Sequence, residues 1–409
     1  MQIGAKPIRA RRLQVLHAPQ PRELKERERG RRYKADAQLS SPSPALRASI
    51  TQTTIMSSNQ DVPQLGFWEK ADIPFLHLST YASLVYAAIT GVFRGKASPK
   101  RYDHYVLSAV IRKVVERRSD RQTQYLTAPT SAAYADGMKK RGLKPETVAL
   151  PHNTEGHWIG NKNAKNVIVY YHGGGFAMPA IPAYFEFWLE MLKALNETGH
   201  DLAVFFPRYT LTPHATYPTQ LRQAVEALRY IINETGRSPA NVIIGGDSAG
   251  GNLAAATLLH LSHPHAEIEP LALSAPLAGV FMYAPWINFS TEWPSMKENL
   301  WKDIITPGIL TRWSGAYRAG IPADNWNEPL NAPAEWWDGA KTERILVLAG
   351  GDEILLSPIE EFVKKIKSVF GEITFVVGSD ESHDAPFYTM VKEETQTGSE
   401  LRQWLAARL

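Results

Sequence analysis

The sequence predicts an α/β fold in which a mostly parallel central sheet is flanked by helices and covered by a helical cap. From Asn166 onwards, short runs rich in β-branched residues alternate with longer segments of helical periodicity, as a parallel sheet with crossover helices requires. One long insertion, residues 287–343, breaks this alternation. The region before Asn166 carries helical patterns instead, and we expect it to contribute to the cap.

Six strands are predicted, at 167–171, 202–206, 242–245, 280–283, 345–348 and 373–377. The helices between and after them are expected at about 184–197, 218–233, 249–262, 357–370 and 398–408. The insertion is rich in Trp, Pro and Asn and contains Trp293, Trp301, Trp313, Trp326, Trp336 and Trp337. It lies between two strands, where lids are commonly inserted, and we expect it to form the second part of the cap.

Three regions are expected along the 409 residues: a basic tail at 1–60, a helical cap region at 61–150 and a catalytic domain at 151–409. Residues 1–56 contain 12 Lys and Arg against 4 Asp and Glu, a charge of +8, so the remainder carries −4 of the net +4. The composition of the tail predicts disorder, and Met56 is an alternative start. The slightly acidic body argues against a nucleic-acid partner. The sequence has no cysteine, which excludes disulfides and Cys-ligated metal sites.

Residues 73–93 contain no charged side chain and are long enough to span a bilayer. Several Ser and Thr residues dilute the segment, which favours a cap helix packed on the body; a membrane anchor or interfacial helix is the alternative. We therefore expect a cytoplasmic protein, with membrane association through residues 73–93 as the alternative. Further helices are expected at 105–117 and about 130–145.

A candidate nucleophile follows the predicted strand 242–245. Gly246-Asp247-Ser248-Ala249-Gly250 stands between this apolar strand and a helical pattern. Such a strand-turn-helix arrangement of Gly-x-Ser-x-Gly places a serine hydroxyl at the exposed edge of a sheet, and the small neighbours leave room for a substrate. The pentapeptide is a weak signal alone, so the rest of the chain has to supply its partners.

A glycine-rich loop supplies the first partner. His172-Gly173-Gly174-Gly175-Phe176 directly follows the strand 167–171, and consecutive glycines allow backbone N–H groups to face a cleft. We predict an oxyanion hole formed by Gly173, Gly174 and Gly175 with the N–H of Ala249, and Gly173 is the weakest of these assignments. A phosphate-binding loop is less suitable, because neither a lysine nor a helix start follows the glycines.

A base and an acid are predicted downstream, since a serine hydroxyl needs a base, and the base needs an acid to orient it. Asp352 follows the strand 345–348, and His383 follows the last strand. The order Ser248, Asp352, His383 is the one expected for a catalytic triad on this kind of sheet. Glu353 is the alternative acid, although its side chain is expected to point elsewhere. Asp384 and Glu381 are expected to be solvated or to cap a helix.

The motifs HGGGF and GDSAGGN, with Tyr209-x-Leu211-x-Pro213 and Tyr217-Pro218 between them, resemble the hormone-sensitive-lipase-like branch of the α/β-hydrolase serine esterases, and are similar to fungal members. The resemblance implies an α/β-hydrolase fold and a carboxylesterase that hydrolyses a small to medium apolar ester through an acyl-enzyme, without cofactor or metal. Matching motif to motif, it implies that Ser248 is the nucleophile, Asp352 the acid and His383 the base. Many members carry Asp-Pro-Leu at the acid, and this chain departs from that pattern with Asp352-Glu353-Ile354-Leu355.

Several functional alternatives share these motifs. An amidase or deacetylase, or an acyltransferase, would use the same triad, and a catalytically dead ligand-binding scaffold would lack a working base. The expected partner is a small-molecule ester, and the sequence leaves a homodimer open. Fungal members of the branch are often associated with secondary metabolism or detoxification. For this chain the resemblance implies the same association, and no residue of the sequence indicates it directly.

Overall fold

A sheet of eight strands forms the centre of the computed structural model, which describes residues 62–95, 97–388 and 394–407. The basic tail 1–60 and the alternative start at Met56 lie outside these residues, so those two predictions remain predictions. The strands are β1 Glu146–Leu150, β2 Thr154–Ile159, β3 Asn166–Tyr171, β4 Leu202–Arg208, β5 Val242–Asp247, β6 Gly279–Tyr283, β7 Ile345–Gly350 and β8 Ile373–Gly378.

The strand order is β1-β2-β4-β3-β5-β6-β7-β8. Strands β3 to β8 pair in parallel, whereas β1 and β2 pair antiparallel with each other and β2 pairs antiparallel with β4. The predicted mostly parallel α/β sheet is therefore confirmed, and each of the six predicted strands is present.

The first two strands were not predicted. β1 alternates between exposed and half-buried residues at the edge of the sheet, and edge strands of this kind give a weaker sequence signal than the buried β-branched runs of a parallel sheet. The predicted boundary at residue 150 assigns Glu146–Leu150 to the cap region, but the structure places this strand in the sheet.

The eight predicted helices are present near their predicted positions within the described residues, together with four that were not predicted. They are α1 Phe67–Thr90, α2 Tyr102–Arg117, α3 Asp120–Leu126, α4 Thr130–Lys140, α5 Pro182–Asn196, α6 Thr219–Arg229, α7 Ala249–Ser262, α8 Ser295–Glu298, α9 Pro307–Arg318, α10 Leu356–Lys367, α11 Ala385–Tyr388 and α12 Gln396–Ala406. Helices α8 and α9 belong to the insertion 287–343.

The core lies on both faces of the sheet, because neighbouring residues of a strand point to opposite faces. In β3, Val167 and Val169 pack with α6, α7 and α10, while Ile168 and Tyr170 pack with α4, α5 and α12 on the other face. The parallel strands are thus covered by helices on both sides, and their carboxyl ends meet at one edge. This edge carries Asp247, and Ser248 follows it.

Helix α1 packs along α2 and leaves its other side exposed. Asp72 is paired with Arg117 at 2.6 Å near one end, and the Tyr102 hydroxyl donates a hydrogen bond to the carbonyl of Ala88 near the other. The segment Phe67–Phe93 is long and apolar enough to cross a membrane by length and composition. Large apolar side chains are exposed at Phe67, Trp68, Phe75, Leu78, Tyr81, Leu84, Val85, Tyr86, Ile89, Val92 and Phe93.

Candidate active site

Ser248 lies on a sharp turn between β5 and α7. Its backbone has φ 50° and ψ −116°, a conformation that a non-glycine residue adopts only where its surroundings enforce it. The Ser248 N–H donates to the carbonyl of Tyr283 at 2.9 Å, and the N–H of Trp286 donates to the Ser248 carbonyl at 3.0 Å. A Cβ on Gly250 would overlap the carbonyl of Tyr171, so the turn requires glycine there. The strand, turn and helix predicted around the serine are therefore present.

The glycine loop lies beside this turn, and it supplies fewer free N–H groups than predicted. The N–H of Gly173 donates to Asp247 Oδ1 at 2.9 Å, which removes Gly173 from the predicted oxyanion hole. Gly174 and Gly175 have φ of 100° and 61°. For the N–H groups of Gly174, Gly175 and Ala249, no hydrogen bond is recorded within the described part of the chain.

Asp247 connects the glycine loop to the sheet. Its carboxylate is fully buried and accepts hydrogen bonds from the hydroxyls of Tyr170 and Tyr184, each at 2.6 Å, in addition to the one from Gly173. Burial raises the pKa of Asp247, and the two tyrosine hydroxyls oppose that rise. The three donors explain how a carboxylate is tolerated next to the serine, and they tie the turn to the glycine loop and to β3.

The acid beside His383 is Glu353 and not Asp352. His383 Nδ1 lies 3.3 Å from Glu353 Oε2, and the Glu353 side chain is 0% exposed. The carboxylate of Asp352 points instead to Lys302 of the insertion, whose Nζ lies 3.0 Å away. The prediction of Asp352 as the partner of the imidazole is therefore wrong in position by one residue.

The family motif does not decide between the two acids. In Asp-Pro-Leu the leucine follows the acid by two residues, and here Ile354 follows Asp352 by two while Leu355 follows Glu353 by two. Ile354 and Leu355 are both fully buried, so they anchor the turn after β7. Because successive residues of the turn point in different directions, this anchoring directs Glu353 inwards and leaves Asp352 facing Lys302.

The other imidazole nitrogen contacts a second carboxyl group. His383 Nε2 lies 3.2 Å from Asp384 Oδ2, and Asp384 also shares a hydrogen bond with Asp247. Burial raises the pKa of Asp384 well above its usual value, so the two carboxyl groups of Asp384 and Asp247 can share a proton. Asp384 and Glu381 are both buried, so neither is solvated. Glu381 Oε1 accepts the N–H of Thr397 in the first turn of α12 at 3.2 Å, which agrees with the alternative expectation that it caps a helix. Within the described residues, no contact between the imidazole and Ser248 Oγ is recorded, and catalytic hydrogen bonds are often long before a substrate is bound.

Burial shifts the pKa values of His383 and Glu353 in opposite directions. It lowers the pKa of His383 and raises that of Glu353 well above its usual value, since a charge is disfavoured in an apolar environment. A neutral imidazole is the form that can accept a proton from a serine hydroxyl. The lowered pKa of His383 therefore suits a general base.

Side chains of the insertion hold the turn that carries Glu353, and sequence reasoning missed them. Asn299 Nδ2 donates to the carbonyls of Gly351 at 3.1 Å and Glu353 at 2.9 Å. The Ser295 hydroxyl donates to the carbonyl of Ile354 at 2.6 Å. These residues lie more than fifty positions before the turn, and polar residues in an insertion give no local sequence signal of such a contact.

Trp313 of α9 packs against the glycine loop, where a Cβ on Gly175 would overlap its ring. Trp313 and Trp337 are buried, whereas Trp301 is 61% exposed. The tryptophans of the insertion thus divide between the core, the wall of the loop and the surface. Among the residues that the structure describes, no group of three or more His, Asp or Glu side chains is arranged to hold a metal ion.

The arrangement of this edge agrees with comparisons to known proteins. The family model described as alpha/beta hydrolase fold matches residues 168–387. The chain belongs to this α/β-hydrolase family. The assignment made from the motifs is confirmed at the level of family and fold.

Relatives of this α/β-hydrolase include esterases and deacetylases. It is 27% identical over 215 residues to Steryl acetyl hydrolase 1 of Saccharomyces cerevisiae, covering 49% of this chain and 48% of that protein. It is 26% identical to arylacetamide deacetylase of Bos taurus, covering 38% of each. The crystal structure of an esterase from the bacterial hormone-sensitive lipase family has a TM-score of 0.58 and 21% identity, covering 76% of this chain and 99% of that one, a likeness in fold. The chain spans about half the length of the first curated relatives it matches.

Proposed function

We propose that this α/β-hydrolase is a serine carboxylesterase that hydrolyses a small to medium apolar ester through an acyl-enzyme. The observation that carries the proposal is the serine on a strained turn at the edge of the sheet, with a buried imidazole held by Glu353 and a glycine loop beside it. A structural serine would need none of these partners. Relatives that are named as esterases and acetyl hydrolases support the same reaction.

The reaction assigns one role to each group. Ser248 Oγ attacks the acyl carbon while His383 Nε2 takes its proton, and Glu353 orients the imidazole through Nδ1 and stabilises its charged form. The N–H groups of Gly174, Gly175 and Ala249 receive the negative charge that develops on the carbonyl oxygen. The ester C–O bond then breaks as Nε2 returns the proton to the leaving alcohol. Water repeats the sequence on the acyl-enzyme and releases the acid.

For this sequence of steps, the imidazole has to exchange partners at Nε2. In the structure this nitrogen faces Asp384 Oδ2 at 3.2 Å, and it must turn to Ser248 Oγ when a substrate is bound. The bond from Glu353 to Nδ1 is the pivot about which this small rotation can occur.

Aromatic side chains beside the glycine loop favour an apolar substrate. Phe176 stacks on Tyr317 with ring centroids 3.7 Å apart, and Trp313 covers Gly175. Apolar surroundings of this kind favour apolar groups over charged ones. Acetyl esters of apolar alcohols agree with these surroundings and with the names of the relatives, which include a steryl acetyl hydrolase.

Amide hydrolysis is the second candidate, because one relative is named arylacetamide deacetylase. The triad and oxyanion donors would serve an anilide equally well. An acyltransferase and a ligand-binding scaffold use the same fold, and they are separated by the choice of acceptor and by the reactivity of the serine.

The test measures hydrolysis of p-nitrophenyl acetate, butyrate and octanoate alongside p-nitroacetanilide, with and without an added alcohol. We expect the acetate and butyrate to be hydrolysed fastest, with loss of activity in Ser248→Ala and labelling of wild type but not Ser248→Ala by a fluorophosphonate. Faster cleavage of the anilide than of the esters would favour an amidase. Formation of a new ester with the added alcohol would favour an acyltransferase. A protein that neither hydrolyses esters nor reacts with the fluorophosphonate would contradict the proposal.

We also propose that the exposed side of α1 contacts a membrane surface. Phe75 is 63% and Tyr86 69% exposed, and no charged residue occurs at 73–93. Since α1 is tied to α2 near both of its ends, an in-plane contact agrees with the fold better than a span. A cytoplasmic protein that docks reversibly would reconcile both predictions of its location.

Flotation with vesicles of phosphatidylcholine and phosphatidylserine tests this contact. Wild type is expected to float, and Phe75→Ser/Tyr86→Ser to remain below, while the matched surface variant Tyr125→Ser/Trp301→Ser still floats. Wild type that stays below the vesicles contradicts the contact. A dimer in light scattering that dissociates only in Phe75→Ser/Tyr86→Ser would assign the surface to a second copy instead, which is the homodimer that the sequence left open.

A further inference from the structure

One buried carboxylate of the insertion touches both turns that carry the proposed acid and base. Asp303 is 0% exposed. Its Oδ1 accepts a hydrogen bond from the N–H of His383 at 3.0 Å and another from Ile304 at 2.6 Å. Its Oδ2 accepts one from the N–H of Ile354 at 2.7 Å. Asp303 therefore connects the residue after Glu353 directly to His383.

The charged surroundings of Asp303 come from four elements. Burial raises the pKa of Asp303 to about 6, Glu353 adds to the rise, and His383 and the two N–H donors oppose it. Asp384 also faces this cluster. Arg112 of α2 donates to the backbone carbonyl of Asp303 at 2.7 Å, and Lys302 is paired with Asp352.

We propose that Asp303 is a positioning residue of the hydrolase site, which fixes the turns of Glu353 and His383 relative to each other and places a negative charge near the imidazole. This inference rests on the proposed esterase function. The charge of Asp303 favours the protonated imidazole, which is the form that appears while the serine attacks. The insertion thereby takes part in the catalytic geometry in addition to covering the site.

A carboxylate is needed here, and an amide is not equivalent. Each oxygen of Asp303 faces a backbone N–H, so an asparagine would direct its own NH₂ group at one of these donors. The same replacement removes the charge that favours a protonated imidazole. Asp303→Asn should therefore disturb both the geometry and the proton affinity of His383.

The test compares Asp303→Asn with Asp324→Asn. Asp324 lies in the same insertion, and its Oδ1 also accepts two backbone N–H groups, from Trp326 at 2.8 Å and Asn327 at 2.7 Å, but it contacts neither catalytic turn. Rates for p-nitrophenyl acetate are expressed per active site titrated with a fluorophosphonate, so that only folded sites are counted.

For Asp303→Asn we expect kcat to fall about 10- to 100-fold with KM changed less than about threefold, and the acid limb of kcat/KM to move to lower pH. The limb moves down because loss of the nearby charge lowers the proton affinity of His383. Asp324→Asn should leave the limb in place. Asp303→Ser, whose smaller side chain admits water to the N–H groups, should reproduce the shift if Asp303→Asn folds poorly.

An unmoved acid limb in both Asp303 variants, or an equal shift in Asp324→Asn, would overturn the assignment. These outcomes differ from failure of the proposed function, in which wild type itself hydrolyses no ester.

Discussion

The half of the site that carries the proposed nucleophile and the half that carries the proposed acid and base are held in different ways. Ser248 and the glycine loop are fixed by backbone hydrogen bonds, by the close approach of β3, β5 and β6, and by the carboxylate of Asp247, which belongs to the serine motif itself. Glu353 and His383 depend instead on side chains from the insertion, namely Ser295, Asn299 and Asp303. The first half is therefore encoded in short contiguous motifs, while the second is assembled from residues far apart in the sequence.

This difference explains why the motifs predict the turn at Ser248 that the structure has, whereas they point to Asp352 and the structure brings Glu353 to His383. A glycine motif fixes its own backbone, so its geometry can be read locally. The direction of Glu353 depends on contacts across the sheet edge, and these are absent from the local pattern. Variants that disturb one half at a time test this difference.

Removal of the acid should have the largest effect. We expect Glu353→Gln to lower kcat by about 10³- to 10⁴-fold, because the imidazole loses the carboxylate that selects its tautomer and stabilises its charge. Asp352→Asn, which breaks only the pair with Lys302, should retain activity within about threefold. Steady-state kinetics with p-nitrophenyl acetate distinguish the two, and a larger loss in Asp352→Asn would restore the acid predicted from the sequence.

On the nucleophile side, Gly175→Ala should lower kcat by about 10²-fold, since a Cβ there overlaps Trp313 and displaces an oxyanion donor. Gly236→Ala is the matched control. It has a similar φ of 69° with open space around it, so it should cost about 1 kcal/mol of stability and leave kcat unchanged. Equal kcat values for the two variants would argue against a catalytic glycine loop.

The pH dependence tests the burial of the base. The pKa of His383 is lowered from its ordinary 6.5, first by burial, and only the neutral imidazole accepts the serine proton. The acid limb of kcat/KM should therefore have its midpoint below 6.5, and activity should fall about tenfold for each pH unit below the midpoint. A midpoint above pH 7 would mean that nearby carboxylates outweigh burial.

Loss of a single support on the acid-base side should have the smallest effect. Asn299→Ala leaves the carbonyls of Gly351 and Glu353 without their donor, which should cost about 1–3 kcal/mol of stability and lower kcat a few-fold. Asn161→Ala removes an exposed contact and should change stability by less than about 0.5 kcal/mol. Chemical denaturation measures both. Unchanged stability in Asn299→Ala would show that the insertion is not needed to hold the turn.

The fold could be predicted from the sequence because the parallel strands are buried on both faces and therefore appear as continuous apolar runs, as in Val242 to Gly245. The edge strand Glu146–Leu150 was not predicted, because its half-exposed residues form no such run. The turn at Ser248 and the loop at Gly174 were predicted from the glycines of their motifs. Two contacts could not be predicted from the sequence: the hydrogen bond from the Gly173 N–H to Asp247, and the one from the His383 N–H to Asp303. In both cases the partners lie far apart in the chain, and neither local pattern specifies the other residue.

The contact of Asp303 with both catalytic turns limits how the substrate range of this protein can be engineered. Exchange of the whole insertion 287–343 for that of a relative, the obvious way to graft a new selectivity, would also remove the supports of Glu353 and His383. A chimera joined after Ile304, which keeps Ser295, Asn299 and Asp303 from this chain, would change α9 and the rest of the insertion while leaving the contacts to the two turns in place. Recombination within this fold thus has a preferred crossover point, located inside the insertion and not at its ends.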